Sequence, residues 1–164
     1  MRMGKNVWQF IPQWEKAIRI PPSSLGESWL GSDFTYQDLT FSDDWVKEYQ
    51  QKLVQRIEGE VALYEIALEA QPEAPVQWLK IHLFIRAEDF LPQKYEYYDE
   101  KGKVVRIMEF SDIRIMGGRK IPTRWKLHKV GAERYTELLI QEIRFDLPLS
   151  KEIFTLSFLE RGRL

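Results

Sequence analysis

KVVRIMEFSDIRIMGGRKIPTRWKLHKV, residues 103–130, decides the fold. In its first half Met108 and Phe110 fall on one face of an extended chain. In its second half Trp125 and Leu127 alternate with Arg124, Lys126 and His128. A period of two marks a half-buried strand, because successive side chains of an extended backbone point to opposite faces. Gly117-Gly118 between the halves is a tight-turn signal, since glycine adopts the positive φ that short hairpin turns require. The stretch therefore reads as two antiparallel strands, 103–115 and 121–130, with one apolar face.

The same pattern continues outward in both directions. Strands are expected over 5–12, 15–20, 48–57, 61–70, 77–86, 92–98 and 134–145. Glu58-Gly59-Glu60 and Asp99-Glu100-Lys101-Gly102 mark turns, the second a type I turn with a glycine bulge. The near-continuous apolar run at 77–86 predicts a strand buried on both faces. Pro21-Pro22 stops the ladder, because proline has no N–H to donate. Residues 21–46 lose the alternation and predict an ordered loop with short helical turns, with Ser32 or Asp33 and Thr40 or Ser42 as caps. A further short helical turn is expected near Ser150 to Ile153. The fold class is thus mainly β: a single curved antiparallel sheet of about nine strands without any βαβ pattern, and short helical segments at 21–46 and near the C-terminus.

Composition narrows the function. The 164 residues suit one domain with a real core. Lys plus Arg is 24 and Asp plus Glu is 25, so there is no basic surplus of the kind nucleic-acid binding needs. With no cysteine, disulfides and thiolate chemistry are excluded. No apolar run reaches the roughly 20 residues of a membrane helix. His82 and His128 stand singly in strands, outside metal-ligand spacing, and read as ordinary strand histidines. Gly26-Glu27-Ser28 begins like a nucleophile elbow but lacks the second glycine. Glu27, Asp33, Asp38, Asp43 and Asp44 form an acidic run that reads as solvated loop acids and caps. Arg114, Arg119, Lys120, Arg124, Lys126 and Lys129 form a basic stretch, either a solvated outer face or a patch for an anionic partner or lipid headgroups. No acid, base and nucleophile set is evident, so neither catalysis nor a cofactor or metal is expected. What stands out is apolar sheet face in excess of visible cover: Tyr64, Ile66 and Leu68 in one strand, Met108 and Phe110 in another, Trp125 and Leu127 in a third. Such a face must curl on itself, pair, or enclose a ligand.

Several local patterns then fall together. Asn6-Val7-Trp8-Gln9-Phe10-Ile11-Pro12 is followed by Ile18-Arg19-Ile20-Pro21 and by Gly31-Ser32-Asp33-Phe34-Thr35-Tyr36-Gln37-Asp38-Leu39. Later come Phe90-Leu91-Pro92-Gln93-Lys94-Tyr95, Ile121-Pro122-Thr123-Arg124-Trp125 and Leu159-Glu160-Arg161. Over nearly its whole length the chain resembles the bacterial outer-membrane lipoprotein-sorting proteins, in their LolA-like branch. The resemblance implies a periplasmic protein with an incomplete barrel and an apolar groove for the acyl chains of lipid or lipoprotein. On the expected concave face the groove candidates are Trp8, Phe10, Ile18, Trp29, Phe34, Tyr64, Ile66, Met108, Phe110, Trp125 and Leu127. A second reading keeps the fold and makes the chain an envelope protein-interaction or sensing module without lipid cargo. The resemblance also implies an N-terminal helix and strands ahead of Asn6, so the chain is expected to lack the start of its domain. The strand at 5–12 would then be an open edge, a template for self-association.

Overall fold

The computed structural model describes every residue except 5, 41–43, 75 and 162–164. Among the described residues there are ten strands and three short helices. In chain order they begin β1 (Arg2–Met3), β2 (Asn6–Ile11), β3 (Lys16–Ile20), α1 (Tyr36–Leu39), α2 (Asp44–Glu48), β4 (Tyr49–Ile57) and β5 (Leu63–Ala70). They continue with β6 (Lys80–Arg86), β7 (Pro92–Tyr98), β8 (Val104–Met116), β9 (Arg119–Lys129), β10 (Thr136–Leu139) and α3 (Leu156–Glu160). The chain forms two compact units, Met1–Phe41 with Phe145–Leu164, and Ser42–Arg144.

In the first unit the ladder runs β1-β2-β3, antiparallel throughout. Pro12 opens a 3-10 turn and Glu15, at φ 49, reverses the chain into β3. Pro22 opens a second 3-10 turn and ends the ladder where the sequence predicts. Helix α1 starts at a capping box: the Thr35 hydroxyl accepts from the Asp38 N–H, and the Asp38 carboxylate accepts from the Thr35 N–H at 2.7 Å. Thr35 takes the N-cap role expected of Ser32 or Asp33, and Ser42 and Asp43 lie outside the described residues. The Tyr36 hydroxyl donates to Gln9 Oε1 at 2.8 Å and ties α1 to β2. At the other end of the chain, Thr155 caps α3, which lies against β3.

The expectation of an open β2 edge is corrected for its first half, Asn6 to Trp8. Arg2 pairs with Val7 and Met3 with Asn6, and the Trp8 N–H donates to the Met1 carbonyl at 2.8 Å. On its other side β2 is paired along its length with β3. The left-handed Gly4, at φ 57, lets the first residues fold back as that extra strand.

The second unit is an antiparallel meander in the order β10-β9-β8-β7-β6-β5-β4, seven strands, unclosed. The predicted glycine turns at 99–102 and 117–118 both form. Gly102, at φ 73, donates to the Asp99 carbonyl, and the Asp99 N–H donates to the Lys103 carbonyl, which closes the turn. Gly117 and Gly118, at φ 56 and 79, give the two positive φ values of a type I′ turn. Mainly β, antiparallel and unclosed, with short helices, the architecture is as expected; the strands are divided between two ladders instead of one sheet. Pro21 and Pro22 end β3, and the chain re-enters strand only at Tyr49. Strand β10 is also shorter than the expected 134–145. Its ladder with β9 ends at Leu139 opposite Arg124, with one further bond from the Ile140 N–H to the Thr123 carbonyl, next to the left-handed Asp112 (φ 54) of β8.

Candidate functional site: an apolar sheet face

Register, not sequence spacing, assembles the site. Residues directly opposite in adjacent strands share a face. One such row crosses the whole second-unit sheet: Leu53, Ile66, Leu83, Tyr95, Met108, Leu127 and Thr136. Six apolar or aromatic side chains therefore stand side by side, one per strand from β4 to β9. Exposure falls along the row from 60% at Leu53 to 0% at Met108 and Leu127. The face is thus sealed at its β8–β9 side and open toward β4.

A second band is aromatic. Trp45, Tyr95, Phe110 and Trp125 meet edge-on in sequence, at centroid separations of 5.5, 4.7 and 5.4 Å. These are favoured arrangements, because each positive ring edge meets a negative ring face. Trp45 comes from α2, so this helix supplies cover for Tyr95. On the other side Trp78 packs on Tyr97 at 5.2 Å, and the buried Arg106 guanidinium lies over both rings. Burial pushes the Tyr95 phenol up to about 12. At the open side Tyr64 stacks on Phe90, which is 71% exposed with a left-handed backbone.

The expected groove residues separate accordingly. Tyr64, Ile66, Met108, Phe110, Trp125 and Leu127 lie on this one face. Met108, Leu127 and Phe110 are buried, whereas Tyr64, Ile66 and Trp125 are half-buried. Trp8, Phe10, Ile18, Trp29 and Phe34 belong to the first unit. Ile18 pairs with Gln9, so it lies on the face of that ladder opposite Trp8 and Phe10, a correction to their expected common face. Phe34 is buried and Trp29 half-buried in the loop between β3 and α1. Sequence reasoning missed Leu53, Leu83 and Tyr95 as lining, although Tyr95-x-Tyr97 carried the alternation. Trp45 was out of reach, because its segment has no period.

The reverse face of the sheet is richer in charge, with Ala67 and Phe84 buried among polar side chains. Its corresponding row is Gln55, Glu65, Phe84, Lys94, Glu109, Lys126 and Glu137. From Lys94 onward opposite charges alternate, which stabilises neighbouring strands. Lys126, expected in a basic patch, therefore stands between Glu109 and Glu137, and Arg124 pairs with Glu137 at 3.3 Å. His82 Nδ1 lies 2.6 Å from Glu65 Oε1, with Gln55 donating to the other carboxylate oxygen. These contacts, Gln55 first, hold the Glu65 carboxyl below its usual range. Among the described residues no group of three or more His, Asp or Glu side chains is arranged to hold a metal ion.

A family model described as "Uncharacterized protein" matches residues 1–161. No curated protein matches the chain. Among solved structures it is similar to a DUF1329 family protein from Desulfovibrio piger, at 24% identity and TM-score 0.85 over 94% of this chain and 64% of that one. It is similar to a structure described as an outer membrane lipoprotein-sorting protein domain from Vibrio parahaemolyticus, at 18% identity and TM-score 0.84 over 95% and 66%. A LolA superfamily protein from Nitrosomonas europaea aligns at 21% identity and TM-score 0.67 over 96% and 69%. The chain thus spans less than two thirds of the length of the first two, and at these identities the likeness is one of fold.

Proposed function

The chain belongs to that family and has the fold of these lipoprotein-sorting and LolA superfamily structures, and we propose that it is a non-catalytic periplasmic carrier of lipid or lipoprotein acyl chains. The observation that supports this reading is the row from Leu53 to Leu127, apolar in six successive strands and opening to solvent at Leu53. An acyl chain entering at the β4 side would meet Leu53, Ile66 and Tyr64 first. Each methylene it buries contributes about 0.8 kcal/mol, so affinity would come from chain length and not from a polar anchor. Deeper entry requires the side chains packed over Tyr95 to give way.

Titration with a lipophilic fluorescent probe tests this. Saturable binding is expected, and Leu53→Asp should weaken it at least about tenfold, because a charge at the mouth resists desolvation. Leu53 is solvent-facing, so this variant should stay folded. Trp125→Asp should weaken binding too, with stability measured alongside. The complete burial of Met108 and Leu127 favours the second reading, in which the face is only core and the chain is an envelope interaction or sensing module. A folded wild-type protein that binds no probe would decide for it.

A further inference from the structure

The last pairing of β7 with β8 is Lys94 with Glu109, and the last of β10 with β9 is Leu139 with Arg124. Beyond these points β8 and β9 continue alone as a two-stranded arm, from the Ile113–Pro122 pair to the Gly117-Gly118 turn. Its three outer rungs are Arg114 with Ile121, Ile115 with Lys120, and Met116 with Arg119. Each rung sets one apolar residue against one cation. Because successive rungs face opposite ways, both faces of the arm carry both kinds of side chain. Ile115 is 79% exposed, the highest value for a large hydrophobic residue among the described residues. Arg114, Arg119 and Lys120 are also exposed. Residues 113–124 contain four cations, Arg114, Arg119, Lys120 and Arg124, and no acid, in a chain of net charge −1.

We propose that this arm docks the protein on an anionic lipid surface, with Ile115 and Met116 entering the interfacial region and Arg114, Arg119 and Lys120 meeting lipid phosphates. An isolated exposed isoleucine needs no explanation, but one near the tip of a two-stranded arm whose every outer rung pairs an apolar residue with a cation does. The two-faced arrangement argues for a membrane over a protein. A protein surface covers one face of a hairpin, whereas a headgroup layer surrounds it. Long basic side chains suit that layer, since their stems lie along apolar surface while their charges reach phosphate. Arg114 is held by Asp112 at 2.7 Å and Lys120 by Asp89. The Arg114–Asp112 pair is exposed on both sides and contributes little in water, so phosphate is able to replace that carboxylate, whereas Asp89 keeps Arg86 as a partner when Lys120 turns to phosphate.

The arm is separate from the apolar row, and its test is separate from that of cargo binding. Vesicle flotation should show the chain on vesicles of phosphatidylcholine and phosphatidylglycerol in equal parts, and not on phosphatidylcholine alone. Added salt should release it. Exchanging Arg119 and Lys120 for Gln should each weaken binding about fivefold. Ile115→Asp should abolish flotation while leaving the circular dichroism spectrum and probe binding unchanged. Failure to float with the mixed vesicles, equal flotation with both vesicle types, or wild-type flotation by Ile115→Asp would each overturn the proposal. The first of these would leave the arm as a dock for an acidic protein.

Discussion

At the scale of single residues, burial decides what each side chain of the apolar row does. Met108 and Leu127 are completely enclosed, so truncation leaves a cavity with no solvent to fill it. Met108→Ala should cost about 2–5 kcal/mol, read from the shift in urea midpoint. Leu53→Asp, by contrast, should move that midpoint little. Titratable groups follow the same logic. Desolvation pushes Tyr49, Tyr95 and Tyr98 up to about 12, with nearby Glu48 adding to Tyr49 and Glu96 to Tyr98. An unfolded tyrosine titrates near 10, so above that pH the folded protein holds more protons than the unfolded chain. Their contribution is fully present below about pH 10 and is lost as the pH rises through about 12. Phenolate absorbance should therefore develop in two stages, the later one coinciding with unfolding. Asp89 behaves oppositely. Hydrogen bonds from Arg86 at 2.8 Å and from Lys120 hold its carboxyl well below the usual range. Its contribution is present above the unfolded value of about 4 and is lost as the pH falls further. Asp89→Asn should lower stability at neutral pH and flatten the acid limb of the stability profile.

At the scale of elements, what the sequence displays is periodicity and turn chemistry. Strands β8 and β9 were legible because Met108, Phe110, Trp125 and Leu127 alternate and Gly117-Gly118 stands between them. The Asp99 to Gly102 turn was legible for the same reason. Strand β1 was not, because Arg2 and Met3 are too short a run to carry any period. The early end of β10 was not either: its alternation continues to Phe145, while its ladder with β9 ends at Leu139 opposite Arg124. The arm beyond that point depends on glycine. Gly118 has φ 79, and although a Cβ there would meet open space, the left-handed backbone costs a side chain about 1–2 kcal/mol. Gly118→Val should speed hydrogen exchange of the amides at 113–122 and leave those of β5 and β6 unchanged. Loss of protection throughout the sheet would show instead that the arm is integral to the fold.

At the scale of the whole molecule, the composition, the alternating strands and the family resemblance carried the fold class and the idea of an apolar face. Which residues share that face was a matter of register, and a one-residue slip reverses a strand. The six candidates in β5, β8 and β9 came out together because their local alternation was unambiguous. Ile18 did not share a face with Trp8 and Phe10, since its place was set by the Pro12–Trp14 turn and not by its own strand. Leu53 escaped notice because β4 is a polar edge strand whose bulge after Leu53 interrupts the alternation. Cover was harder to read: Trp45 comes from a segment without a period, and Trp78, expected inside the strand at 77–86, lies ahead of β6 and packs on Tyr97. The central claim remains that this face takes an acyl chain. Native mass spectrometry of the protein purified from a bacterial envelope without detergent tests it most directly. The account predicts adducts of lipid mass that Leu53→Asp removes; a bare polypeptide mass that stays bare after incubation with fatty acid or phospholipid would contradict it.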